Sequence, residues 1–143
     1  MATINKFEDL EVWQKARKLC SMINALTSSG DFHKDFDLKN QIKRSSGSCM
    51  DNIAEGFERE GNREFRNFLS IAKGSIGESR SQLYRALDFK YIDQEQFEKG
   101  KTLCEELSKN INGFMAYLKK SEYKGNKFGE PAEQYGFNKD NKE

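Results

Sequence analysis

With 143 residues, the chain has room for one modest core and not for two independent ones. Charged residues make up 33% and apolar ones 36%, with a single proline and a net charge of +1, which suits a helical bundle with charged outer faces and gives the whole molecule no strong pull toward a polyanion. No apolar run approaches the roughly 20 residues of a membrane span, and Met1-Ala2-Thr3-Ile4-Asn5-Lys6 lacks the apolar stretch of a secretion signal, so a cytoplasmic location is expected.

The first helix is predicted from Glu8-Asp9, whose acidic side chains favour the positive end of the helix dipole, to about Thr27 before Ser28-Ser29-Gly30. Val12, Ala16, Leu19, Ile23 and Leu26 recur at steps of four and three, which places them on one buried side. The connector from Gly30 to Asp35 is polar except for Phe32, expected to tuck under the bundle end. A second helix starts at Asp35 or Asp37 and carries Leu38, Ile42, Cys49, Ile53 and Phe57 inward. Its middle, Ser45-Ser46-Gly47-Ser48, is made of poor helix formers, yet the register of Ile42, Cys49 and Ile53 continues through it and predicts an unbroken helix.

After a turn near Glu60-Gly61-Asn62, the third helix extends from about Arg63 to Phe89 with Phe65, Phe68, Ala72, Ile76, Ser79, Leu83 and Ala86 inward. Gly47, Gly74 and Gly77 are read as positions where another helix packs closely or an interface forms, because a glycine in mid-helix otherwise destabilises it by about 1 kcal/mol relative to alanine. The fourth helix is capped by Asp93, with Gln96 in capping-box register, and ends near Lys119-Lys120. Phe97, Gly100, Cys104, Leu107, Ile111, Phe114 and Leu118 form its seam. Short connections between long helices predict an all-α, antiparallel up-down-up-down four-helix bundle over residues 1–120. Residues 121–143, rich in Gly, Lys, Asn and Glu and containing Pro131, read as a C-terminal tail that is either flexible or docked on its own or a neighbouring subunit through Phe128, Tyr135 and Phe137.

Residues able to carry chemistry are few. Cys20, Cys49 and Cys104 are widely spaced and read as small core residues in a reducing compartment, and His33 has no second ligand nearby in sequence, so no metal or cofactor is expected. Carboxylate pairs such as Glu55 with Glu58 read as solvated helix surface. No nucleophile, base and orienting group share a recognisable spacing, so the expectation is a protein without catalytic residues. The more informative feature is basic: Arg59, Arg66, Lys73 and Arg80 are spaced by seven, with Arg63 a turn from the first two. From Arg63 to Lys90 there are six Lys/Arg and three Asp/Glu. Such a stripe, with Lys43 and Arg44 as a smaller cluster, is a candidate nucleic-acid contact, while ion pairing to Glu55, Glu58, Glu64 or Glu78, or to carboxylates of an adjacent subunit, is the alternative.

The run Asn52-Ile53-Ala54-Glu55-Gly56-Phe57, its flanks Gln41 to Ser46 and Glu64 to Ser75, and the opening Phe7 to Ala16 resemble a bacterial family. These are small four-helix-bundle proteins first noticed as reading frames within intervening sequences of large-subunit ribosomal RNA genes, with a ribosomal-protein-like label. The resemblance spans about residues 6–119 and extends to the accessory variability determinant proteins of diversity-generating retroelements. It implies a subunit that assembles as a homopentamer, has no established catalysis, and works with RNA or DNA or with a protein partner such as a reverse transcriptase. This chain is nearly neutral, unlike the strongly basic accessory proteins. Asn52, Glu55 and Gly56 read physically as a helix end: Gly56 and Gly61 are the residues able to stop the second helix, and Asn52 and Glu55 either bond the turn and the next helix or meet a partner, with Glu55 also able to hold Arg59 at i, i+4. The functional expectation is a non-enzymatic self-assembling scaffold or adaptor in RNA-linked processes, with a stand-alone nucleic-acid-binding protein as the alternative.

Overall fold

The apolar stripes fold inward on four long helices. The computed structural model of the chain describes residues 3–121 and 128–129, and element order runs β1 (Thr3–Ile4), a 3-10 turn (Phe7–Asp9), α1 (Glu11–Leu26), α2 (Gly30–Lys34), α3 (Phe36–Glu58), α4 (Asn62–Asp88), α5 (Gln94–Ser121) and β2 (Phe128–Gly129). Around the bundle α1 packs on α3, α3 on α4, α4 on α5 and α5 on α1, with the α3–α4 contact the most extensive. This is the all-α bundle that the 3/4 rhythm specifies. No helix among the described residues is long and apolar enough to cross a membrane.

Local chemistry sets the ends. Asp93 and Gln96 form the reciprocal capping box, the Asp93 N–H donating to Gln96 Oε1 at 2.9 Å and the Gln96 N–H to Asp93 Oδ1 at 2.8 Å. Helix α4 closes with the Tyr91 N–H donating to Ala86 O and the Lys90 N–H to Leu87 O, a Schellman arrangement that places Lys90 at φ 64°. Two expectations change. Leu10 is extended and fully buried, which separates the Phe7–Asp9 turn from α1, so the helix starts at Glu11 and not at Glu8. The polar connector contains a short helix, α2, which delivers Phe32 into the core, stacked on Tyr91 at 5.3 Å.

The middle of α3 runs unbroken through Ser45-Ser46-Gly47-Ser48. At the opposite end of the bundle from Phe32, the rings of Phe57, Phe65 and Phe114 meet edge to face at 5.9 and 5.3 Å. Part of the tail returns to the N-terminus, where Phe128–Gly129 pairs antiparallel with Thr3–Ile4. Tyr135, Phe137 and the rest of that segment lie outside the described residues.

Glycine roles are redistributed. A Cβ added at Gly47, Gly74 or Gly77 would meet nothing within 4 Å, and Gly74 and Gly77 are exposed, so none of the three admits a neighbouring helix of the same chain. Close packing falls instead at Gly56, where a Cβ would sit 2.6 Å from Phe68 Cβ and 3.0 Å from the Phe65 ring, and at Gly100, 2.9 Å from a methyl of Leu83. Gly56 also lies inside α3, which continues to Glu58, so it does not stop that helix.

Cys49 and Cys104 are buried and Cys20 is half-buried; all three are free thiols. Burial pushes the Cys49 thiol far up, the Cys104 thiol to about 12, and the Cys20 thiol up against the opposing effect of a hydrogen bond with Ser46.

Two outcomes follow from this packing. Gly56→Ala should lower stability by about 1–3 kcal/mol, since the clash is with the rigid Cβ of Phe68, whereas Gly74→Ala, open within the protomer, should raise the stability of the separated protomer by about 0.5–1 kcal/mol; urea unfolding at high dilution monitored by circular dichroism checks both. At neutral pH a thiol-alkylating reagent should label Cys20 first, and Cys49 and Cys104 only under unfolding conditions, as read by peptide mass spectrometry.

Candidate functional site

The motif residues sit where α3 meets α4. Glu55 holds Arg59 at i, i+4, with Arg59 Nη2 donating to Glu55 Oε2 at 3.1 Å, and the Arg59 guanidinium also lies 5.1 Å from the centre of the Phe68 ring. Asn52 does not reach the turn. Its Nδ2 donates to Ser48 O at 2.8 Å and to Ser48 Oγ at 3.0 Å, while Ser48 Oγ lies 2.9 Å from Ser75 Oγ on α4. The asparagine thus joins a polar seam inside the helix pair and does not cap its end.

One turn deeper the seam is buried. Ser45 Oγ lies 2.7 Å from both Ser79 Oγ and Gln82 Oε1, and Ser79 Oγ donates to Ser75 O at 3.2 Å. Buried hydroxyls in an apolar core are destabilising unless bonded, and these bond one another across two helices. The small side chains let the backbones approach, and the hydrogen bonds fix the register. The serine run in α3 was visible in sequence, but Ser75, Ser79 and Gln82 as its partners were not, because only tertiary contact places residues more than 25 positions apart side by side.

The basic stripe divides. Arg59 belongs to the end of α3, and the turn that follows, with Glu60 at φ 60°, resets the helical phase before α4 begins. It faces Phe68, on the α3 side of α4. Arg66, Lys73 and Arg80 stay in register on α4 and look the other way, toward α5, where Arg80 Nη1 is 3.5 Å from Glu105 Oε2. Lys101 lies 3.8 Å from the same oxygen, so one carboxylate is shared by two cations. Arg66 Nε donates to Asn62 Oδ1 at 3.0 Å, and Asn62 Nδ2 in turn donates to Leu118 O at 2.9 Å. Arg63, Lys73, Lys43 and Arg44 make no ion pair among the described residues. Ion pairing therefore accounts for Arg59 and Arg80 but not for the others. Lys43 and Arg44 lie on α3, whose neighbours are α1 and α4, and the structure does not bring them to the α4–α5 side.

No group of three or more His, Cys, Asp or Glu side chains among the described residues could hold a metal ion. His33 Nδ1 lies 3.1 Å from Thr27 O, which ties α2 to the end of α1. A shallow opening between α1 and α5 has Met22 and Leu103 at its floor and Lys18, Lys99, Glu98 and Glu106 around its rim. Thr102 completes its lining.

Residues 8–113 match the family described as 23S rRNA-intervening sequence protein. No curated protein matches. Among solved structures, a protein of unknown function of the S23 ribosomal protein family from Bacteroides thetaiotaomicron VPI-5482 shares the fold with a TM-score of 0.67 and 26% identity, over 73% of this chain and 97% of that one. The family match spans well over half of the chain, and the chain belongs to the 23S rRNA-intervening sequence protein family.

Proposed function

We propose that this chain is a non-enzymatic scaffold or adaptor that assembles with copies of itself and serves an RNA-linked process in the cytoplasm. The outward face of α4 carries the reading. Gly74 and Gly77 lie exposed in the middle of a 27-residue helix, and Ile71, 52% exposed, sits just before them. Each glycine weakens the helix by about 1 kcal/mol relative to alanine and gains no contact within the protomer in return. A second copy laid on that face would use the missing side chains for close approach and cover Ile71. Five copies is the number that the family resemblance suggests, and the family's description supplies the link to ribosomal RNA.

A second reading, direct nucleic-acid binding, is supported by Arg63 and Lys73, which have no carboxylate partner among the described residues. Phosphates are the natural counterions for such cations. A protein partner, including a reverse transcriptase, fits the scaffold reading equally well.

Light scattering coupled to size exclusion, over a wide concentration range, should return a mass several times that of the 16.5 kDa protomer. The double variant Gly74→Glu, Gly77→Glu should return the protomer mass with an unchanged helical circular-dichroism spectrum. A wild-type chain that stays monomeric at every concentration overturns the assembly reading.

A further inference from the structure

Charge is distributed unevenly along the seam between α4 and α5. Three contacts set the register of this antiparallel pair: Asn62 with Leu118, Phe65 with Phe114, and Tyr84 with Phe97, whose rings are 4.7 Å apart. Arg66 is therefore level with the last turns of α5, Lys73 with the stretch around Lys109, and Arg80 with Glu105. The acids of α5 are Glu95, Glu98, Glu105 and Glu106, all in its first half. From Leu107 to Ser121 the helix carries Lys109, Lys119 and Lys120 and no carboxylate. On α4, Glu64 and Glu78 fall by their spacing on the side away from α5, and the third acid, Asp88, stands at the end of the helix one turn beyond Tyr84, outside the row of cations. Glu105, which does reach the seam, is already divided between Arg80 and Lys101.

We propose that the furrow between α4 and the second half of α5 is a track for the backbone of single-stranded nucleic acid, with phosphates on Arg66, Lys73, Lys109 and Lys119 and, one turn beyond Arg80 where α4 meets the first turn of α5, a base on Tyr84. This rests on the nucleic-acid reading above and deepens it by naming the surface and the strand class. The cations on α4 are spaced seven residues apart, so Arg66, Lys73 and Arg80 form a straight row about 21 Å long. The facing helix stands about 8–10 Å away, which makes a narrow strip with positive charge on both edges. A single strand can lie straight along such a strip, whereas the backbone of a duplex curves away from it. Tyr84 marks one end of the row and is 45% exposed although its ring packs on Phe97. A positive groove with an exposed aromatic ring is the combination that holds single strands, because unpaired bases can stack and paired ones cannot.

Fluorescence anisotropy of the full chain with a labelled, unstructured single-stranded RNA, and with the same RNA annealed to its complement, tests this. At low salt the single strand should bind more tightly than the duplex. Lys73→Glu with Lys109→Glu should weaken it by about tenfold or more and make the plot of log affinity against log salt shallower by about 1.4, at about 0.7 for each cation removed. Tyr84→Ala should weaken it by about fivefold. Lys43→Glu with Arg44→Glu, on α3, should change the charge equally and the affinity by less than about twofold. Tighter duplex binding, or equal losses from the α3 and furrow pairs, overturns the furrow proposal while leaving nucleic-acid binding intact. Wild-type chain that binds neither RNA at low salt overturns both, and an acidic protein would then be the ligand to try.

Discussion

Everything in this bundle depends on how closely α3 and α4 approach. At Gly56 there is no room for even a methyl group, because the Cβ of Phe68 and the ring of Phe65 occupy the space where it would stand. That contact brings the two helices together at one end and orients Phe65 toward Phe57 and Phe114, so the aromatic cluster beneath is a consequence of it. Further along, the same closeness demands small side chains, and serine fills the demand. A hydroxyl there must be bonded, and Ser45, Ser79, Gln82, Ser48, Ser75 and Asn52 satisfy one another. The result is a helix pair whose register is set by directional bonds as well as by apolar volume.

A tight α3–α4 pair also decides what is left outside. With its α3 side and its α5 side committed, α4 presents Ile71, Gly74 and Gly77 to solvent, residues that an isolated protomer has no reason to expose together. Arg66, Lys73 and Arg80 lie along the α5 edge of α4, whereas Arg85 bonds Gln41 on α3, and this sets the edge suited to phosphate beside the face suited to another helix. A chain with a net charge of only +1 can still hold a strongly positive furrow, because the carboxylates of α5 are confined to its first half.

Much of the fold was legible before any coordinates. The run Ser45 to Ser48 has poor helix propensity, yet the register of Ile42, Cys49 and Ile53 outweighed it, since burial of a whole apolar stripe exceeds a few tenths of a kcal/mol per residue. The Asp93–Gln96 box was readable because a cap is a local device made by residues three apart. Helix α2 was not, since five residues carry too little periodicity. The candidate site was less legible. Gly56 looked like a helix stop and is a packing contact inside α3, while Gly74 meets nothing within the protomer, because a glycine signals freedom from a side chain without saying what uses the space. The heptad spacing from Arg59 to Arg80 spans a turn, and spacing has meaning only within one helix.

By itself, then, the sequence determined the number of long helices, the side each turns inward and the Asp93–Gln96 box that starts the last of them, all properties carried by residues within a turn or two of one another. Tertiary structure alone decided which helices are neighbours, which glycine is pressed against a partner and which stands open, and which cations share a carboxylate. Most of those contacts join residues on different helices, from Gly56 with Phe68, 12 positions apart, to Lys15 with Asn110, 95 positions apart. No periodicity encodes such pairings, because they depend on the phase and depth at which one finished helix meets another.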